Sequence, residues 1–204
     1  MKYLIILNLM ILAVSCSSRS LKKDYVVVDS SHQDIPEWVE DLSEWIEDEE
    51  KNENRYRYFT YTSDPKNDRQ ISCDLASARA GTYIAGEISQ TIKQNIESIK
   101  SGDPNSKNEK MDQFVEEKLT KEIKANLVGV KTYKTYWEKR RFQKELGAKE
   151  NKDAYTCTKL LKVPKSDMKK MFAVAYKKLD KIANNDVQKA MVKKAIEKSE
   201  KELE

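Results

Sequence analysis

The cysteines have the most distinctive chemistry in this chain, and there are three of them: Cys16, Cys73 and Cys157. Cys73 and Cys157 stand 84 positions apart, so a disulfide between them would close a long loop and stabilise an exported protein by about 4–5 kcal/mol. The alternative is that both are buried, unpaired thiols that pack as small apolar side chains. No Cys-x-x-Cys pair or Cys/His metal spacing occurs. The sequence therefore predicts no metal site and leaves the pairing open.

Other patterns that would indicate an enzyme are weak or missing. The single histidine, His32, lies in a polar segment, where it is poorly placed to be the base of a nucleophilic triad. Neither glycine-rich phosphate motif, G-x-x-x-x-G-K-S/T or G-x-G-x-x-G, occurs. Carboxylates are numerous, but they stand in charge runs typical of solvated helix faces. We predict no catalytic residues and no cofactor, and we leave open a hydrolase that uses a carboxylate pair.

The first sixteen residues are typical of an export signal. Lys2 precedes a run over residues 3–14 that is apolar apart from Asn8 and is too short to span a membrane comfortably. The run ends in Leu12-Ala13-Val14-Ser15-Cys16, which resembles the lipobox of bacterial lipoproteins. That resemblance implies removal of residues 1–15 and attachment of acyl chains, such as palmitate, at Cys16. The alternatives are an ordinary signal peptide and an uncleaved anchor.

A lipid anchor would also decide where the protein resides. Two or three acyl chains on one cysteine hold a protein on a bilayer essentially permanently, because each buried methylene contributes about 0.8 kcal/mol. Ser17 follows Cys16, whereas an aspartate in that position would resemble an inner-membrane retention signal. We therefore expect a protein of the bacterial outer membrane, on its periplasmic face.

Composition limits the size of the core and the choice of partner. Of 204 residues, 39% are hydrophobic and 35% are charged, which indicates a small core with long solvated helices. The net charge is +4, yet residues 34–53 hold ten acids and one lysine, so the rest of the chain is basic. Export argues against nucleic acid as a partner of the basic part. We expect solvated helix faces, with an acidic-to-basic contact or an anionic envelope partner as the alternative.

Composition and periodicity divide the chain into five segments. They are a signal peptide over residues 1–15, a tether over 16–33, an acidic amphipathic helix over 34–54, an α+β domain over 55–183 and a charged helical tail over 184–204. In the tether, the run Tyr25-Val26-Val27-Val28 is either a short strand or an exposed apolar patch. The tail is expected to protrude, to fray or to meet a partner.

Hydrophobic periodicity in the central segment predicts an α+β fold. Strands are expected where aromatic and β-branched residues concentrate, at 55–63, 130–141 and 153–163. Helices are expected where apolar residues recur every three or four positions, at 74–100, 109–127 and from 166 onward. We predict a three-stranded antiparallel sheet with helices packed on one face, in the order strand–helix–helix–strand–strand–helix, followed by a charged C-terminal helix.

Four short motifs resemble one known family. They are Pro36-Glu37-Trp38-Val39, Ala76-Ser77-Ala78-Arg79-Ala80, Tyr133-Lys134-Thr135-Tyr136-Trp137 and Tyr155-Thr156-Cys157-Thr158. With the lipobox, they resemble the Helicobacter-type Lpp-twenty family of bacterial outer-membrane lipoproteins, over about residues 34–180. The resemblance implies an envelope lipoprotein with no catalytic residues, and related domains occur in lipoproteins of the outer-membrane flagellar apparatus.

These observations predict a non-enzymatic scaffold, bound to the membrane through lipid on Cys16. Its expected partners are envelope proteins, in flagellar or cell-wall-associated assemblies. Trp38 and Trp45 are candidate partner contacts, unless both rings pack on the protein's own sheet. The alternative function is a module that binds a glycan or a small ligand through Tyr58, Tyr133 and Trp137.

Overall fold

The computed structural model describes residues 23–49, 55–100 and 107–203. Its elements in chain order are β1 (Tyr25–Ser30), α1 (Glu37–Glu40), α2 (Leu42–Glu49), β2 (Tyr56–Thr62), α3 (Arg69–Lys100), α4 (Glu109–Glu117), α5 (Leu119–Asn126), β3 (Lys131–Phe142), β4 (Lys152–Pro164), α6 (Lys165–Ile182) and α7 (Asp186–Leu203). A short 3-10 turn at Lys144–Leu146 lies between β3 and β4. The predicted signal peptide and Cys16 lie outside the described residues.

The sheet has four strands in the order β1-β3-β4-β2, and each neighbouring pair is antiparallel. The α+β class and the three predicted strands, now β2, β3 and β4, are confirmed. The prediction of a three-stranded sheet is wrong, because β1 pairs with β3 and places Tyr25 opposite Phe142. The valines of β1 are exposed, so no alternation of buried and solvated positions distinguishes this edge strand from an unpaired segment.

The longest helix, α3, carries much of the main core. Its apolar stripe, at spacings of three and four, is buried: Ala76, Ala80, Ile84, Ile88, Ile92 and Ile96. Burial of each isoleucine stabilises the fold by about 1.5–3 kcal/mol. The helix begins at Arg69, earlier than predicted, because the Asp68 carboxylate accepts a hydrogen bond from the Ile71 N–H (2.9 Å) in the first turn. The predicted second helix is instead two helices, α4 and α5, which meet at Lys118.

Helix α7 packs against α3 and α6, so the expectation of a protruding tail is wrong. The helix buries four apolar side chains: Met191, Val192, Ala195 and Ile196. Between α3 and α7, the Asn95 amide donates hydrogen bonds to Ser199 Oγ (3.0 Å) and to the Glu202 carboxylate (2.8 Å). The buried face of α7 was not predicted from the sequence, because the apolar residues of this helix are few and are interrupted by charged ones.

Helices cover both faces of the sheet, which corrects the prediction that they pack on one face. Helices α3 to α7 form the large core on one face, while α1 and α2 pack on the other through Trp38 and Trp45. Side chains alternate between the faces along each strand. On β2, Phe59 therefore belongs to the large core and Tyr58 to the smaller one.

Candidate functional site

Cys73 and Cys157 are joined by a disulfide, with their Cα atoms 5.0 Å apart. The bond connects the N-terminal part of α3 to β4. Beside it, Ser63 Oγ accepts a hydrogen bond from the Cys157 N–H (3.1 Å) and shares another with Ser72 Oγ (2.7 Å). The sequence left the pairing open because it could not show which face of β4 carries Cys157.

Trp38 and Trp45, the candidate partner contacts, are only 4% and 2% exposed. Both rings pack on the sheet face that α1 and α2 cover, with Tyr58, Tyr136 and Leu160. Trp45 meets Tyr58 edge to face, with ring centroids 5.6 Å apart, an arrangement that aromatic pairs favour. The two tryptophans therefore attach α1 and α2 to this protein's own sheet, which is the alternative that the sequence left open.

The three candidate ligand-binding aromatics do not form one site. Tyr58 and Tyr133 lie together on the α1–α2 face, with ring centroids 6.1 Å apart. Trp137 pairs with Cys157 in the register of β3 and β4, so it points to the opposite face. There it lies beside Tyr155, and the Arg69 guanidinium stands 4.9 Å from the centre of its ring.

Lysines cover the aromatic rings on the α1–α2 face. Tyr133 is 42% exposed, but Lys162 Nζ lies 4.3 Å from the centre of its ring. Lys134 Nζ lies 4.7 Å from the centre of the Trp45 ring. Such cation–π contacts contribute about 0.5–2 kcal/mol each. The exposed Tyr133 ring is therefore already beside two of the protein's own ammonium groups.

Glu138 is a buried carboxylate whose charge is compensated within the fold. It is 5% exposed, and it accepts hydrogen bonds from the Tyr136 hydroxyl (3.0 Å) and from Arg140 Nε (2.5 Å). Burial, reinforced by the Glu138 charge, raises the pKa of Tyr136 to about 12. A carboxylate paired in this way connects neighbouring side chains of β3.

Two other carboxylates have pKa values shifted away from the range of a general acid. Hydrogen bonds from Arg141 and Lys139 lower the pKa of Asp153 to about 2, and Lys152 lowers the pKa of Glu150. A general acid needs the opposite shift, towards neutral pH. Within residues 23–49, 55–100 and 107–203, no three His, Cys, Asp or Glu side chains are grouped as a metal site would require.

The sequence analysis did not single out a groove that runs along α3. A cleft of about 690 Å³ opens beside β2 and α3, and a second of about 430 Å³ lies between α3 and the α4–α5 pair. Residues of the first cleft include Tyr61, Arg79, Tyr83, Gly86, Glu87 and Gln90. Gly86 and Gln90 line both clefts. The two clefts therefore form one continuous surface, which we call the α3 groove.

An aromatic pair forms one wall of the α3 groove. The Tyr61 and Tyr83 rings stack at a tilt, with centroids 5.3 Å apart. Partial burial raises the pKa of Tyr83, and so do the charge of the Glu87 carboxylate and the hydrogen bond that the Tyr83 hydroxyl donates to it. In sequence Tyr83 stands beside the isoleucine stripe, where polar side chains are ordinarily interpreted as solvated. Tyr61 stands in the aromatic run of β2.

Comparison with known proteins identifies no family for the chain. No family model matches it, and no curated protein or solved structure shows significant similarity to it. The resemblance to the Lpp-twenty lipoproteins therefore stays a prediction. In the part of the chain that the structure describes, no helix is both long enough and apolar enough to cross a membrane.

Proposed function

We propose that this protein is a lipid-anchored, non-enzymatic binding domain of the bacterial envelope, held at the periplasmic face of the outer membrane by acyl chains on Cys16. The Cys73–Cys157 disulfide carries the proposal. Disulfides form and persist in exported proteins and are rare in the cytosol. A disulfide in a chain that also contains an export-type segment supports a mature protein outside the cytosol.

A scaffold must present its surface in a fixed geometry, and the fold suits this role. Helices cover both faces of the sheet, and the disulfide attaches the longest helix to β4. Confinement of such a rigid body to a membrane raises its effective concentration for a partner on the same membrane. We propose envelope proteins as the partners, either in flagellar assemblies, as the family resemblance implies, or in cell-wall-associated ones.

The start of β1 indicates which end of the domain lies near the bilayer. The Gln143 N–H donates to the Asp24 carbonyl (3.1 Å), and the rings of Tyr25 and Phe142 are 5.4 Å apart. The first residues of β1 and the β3–β4 turn therefore share one end of the molecule. Cys16 is nine positions before Tyr25, a distance of about 30 Å at most. We propose that the β3–β4 turn faces the membrane.

The two alternative functions have weaker support. A ligand site built from Tyr58, Tyr133 and Trp137 is disfavoured because Trp137 lies on the other face of the sheet. A hydrolase is disfavoured because the carboxylates with a shifted pKa in the described part of the chain, Asp153 and Glu150, have lowered rather than raised values.

Fatty-acid labelling followed by membrane fractionation tests the anchor. Cells that make the wild-type protein, Cys16→Ala or Cys73→Ala are grown with labelled palmitate. We expect label on the wild type and on Cys73→Ala, both in the outer-membrane fraction, and none on Cys16→Ala. Full-length, unlabelled wild-type protein in the soluble cytosolic extract would contradict the proposal.

A further inference from the structure

We propose that the α3 groove binds an extended, uncharged glycan chain. The inference rests on the proposed role as a binding domain, because it names a ligand for that domain. It does not depend on acylation of Cys16. The argument comes from three features of the groove: an open aromatic surface, a helix glycine that the fold does not require, and a charge that disfavours anions.

Tyr83 supplies the open aromatic surface. Its side chain is 41% exposed and its ring stacks on Tyr61 at the side of the groove. Over the described residues, no lysine or arginine stands over the Tyr83 ring, in contrast to Tyr133, which Lys162 covers. An exposed tyrosine offers an apolar ring face with a polar hydroxyl at its edge. A sugar ring, with C–H groups on its face and hydroxyls at its rim, matches that arrangement.

Gly86 is a residue whose presence the fold does not explain. Glycine in the middle of a helix is less stable than alanine. A Cβ atom built at Gly86 would meet no heavy atom within 4 Å, and the backbone there does not have a positive φ. Neither close packing nor backbone conformation therefore requires glycine. A role as the open floor of the groove does explain it, because any side chain would project into the space where the two clefts meet.

The charge of the groove disfavours an anionic ligand. Arg79 pairs with Asp64 (2.9 Å) at one end of the groove, and Lys93 pairs with Glu116 further along it. Glu87 and Glu97 add two further carboxylates to the lining. A polyanion such as nucleic acid would require uncompensated cations along its path. The groove instead offers the amide of Gln90, which can both donate and accept hydrogen bonds, as sugar hydroxyls require.

The length of the groove favours a chain over a single small molecule. Its lining on α3 extends from Arg79 to Glu97. At a rise of about 1.5 Å per residue, this stretch of helix is about 27 Å long. A linear chain can follow such a surface, while a compact ligand would occupy only one of the two clefts.

Calorimetric titration of the full chain in detergent micelles with a tetramer of β-1,4-linked N-acetylglucosamine tests the proposal. We expect the wild type to bind the tetramer. Tyr83→Ala should weaken binding at least tenfold, because it removes the aromatic surface. Gly86→Leu should also weaken it at least tenfold, because it fills the floor. Tyr133→Ala, which removes an exposed tyrosine elsewhere, is the matched control and should bind as the wild type does.

A melting curve shows whether each variant is folded. Gly86→Leu should melt at or above the wild-type temperature, since leucine favours the helix. A wild type that does not bind the tetramer, or a Tyr133→Ala variant that loses binding equally, would overturn the proposal. Tighter binding of a neutral Ser/Gly-rich peptide, abolished by Gly86→Leu, would overturn the glycan assignment. If the wild type is labelled at Cys16 but does not bind the tetramer, this inference alone is refuted and the proposed lipid anchor is unaffected.

Discussion

Cys73 of α3 is covalently joined to Cys157 of β4, so the helix at the centre of the main core is attached to an interior strand of the sheet. Cys157 has no exposed surface. The loop that the bond closes contains most of α3 together with α4, α5 and β3. The helical layer and the sheet are therefore connected both by packing and by a covalent bond.

Removal of this disulfide should destabilise the fold. We expect the double variant Cys73→Ala/Cys157→Ala to lose about 4–5 kcal/mol of the free energy of unfolding, because the unfolded chain regains the freedom of a long loop. Denaturant titration measures the loss. Wild-type protein titrated with a reductant present is the control and should unfold close to the double variant. Identical midpoints for the double variant and the oxidised wild type would refute the prediction.

The attachment of α7 to α3 depends on a polar contact that can be tested separately. We expect Asn95→Ala to lower the free energy of unfolding by about 1–3 kcal/mol, since Ser199 and Glu202 lose their hydrogen-bond donor. Amide hydrogen exchange in α7 should accelerate in this variant.

The exposed neighbour provides the matched control for Asn95. Gln94→Ala should change stability by no more than about 0.5 kcal/mol. If the α7 amides of the wild type exchange as fast as those of an unfolded chain, the helix is not docked and the prediction fails.

The raised pKa of Tyr136 predicts that the folded protein loses stability at alkaline pH. Its pKa is raised from 10.0 to about 12 in the folded state, chiefly by burial and then by Glu138. In the unfolded chain it ionises near pH 10, so the folded state holds the extra proton between pH 10 and 12. This contribution to stability is complete below pH 10 and is lost as the pH rises to about 12.

The measurement for Tyr136 is the melting temperature between pH 9 and pH 12. We expect the wild type to lose more stability over this range than Tyr136→Phe, which has no hydroxyl to ionise. Tyr133→Phe alters an exposed tyrosine and should follow the wild-type curve. Parallel curves for the wild type and Tyr136→Phe would show that the buried hydroxyl does not carry the effect.

The proposed orientation predicts which residues approach the lipid. We expect a fluorescent label on Lys149→Cys, in the β3–β4 connection, to be quenched strongly by nitroxide lipid headgroups. A label on Asn185→Cys, between α6 and α7, should be quenched weakly. Asn185 lies near the C-terminal end of α3. Lys100, the last residue of α3, bonds to Asp112 of α4. Just before α4, the Asn108 amide donates to the carbonyl of Ile182 (3.0 Å), which is close to Asn185 in the chain. Equal quenching of the two labels would contradict this orientation.

Local pattern in the sequence was sufficient for most of the secondary structure. The isoleucine stripe predicted α3, and the aromatic and β-branched runs predicted β2, β3 and β4. The sequence also limited the disulfide to one pair once Cys16 was assigned to lipid. These features depend on neighbours within a few positions or on residue counts, and both are properties of the chain alone.

The tertiary structure decided the features that depend on distant contacts. β1 is a strand because β3 offers it an edge. α7 is docked because its apolar side chains join the core beside α3 and Ser199 meets Asn95. The α3 groove exists because β2 brings Tyr61 beside Tyr83. Each of these contacts joins residues far apart in the chain, where periodicity carries no information about which surfaces will meet.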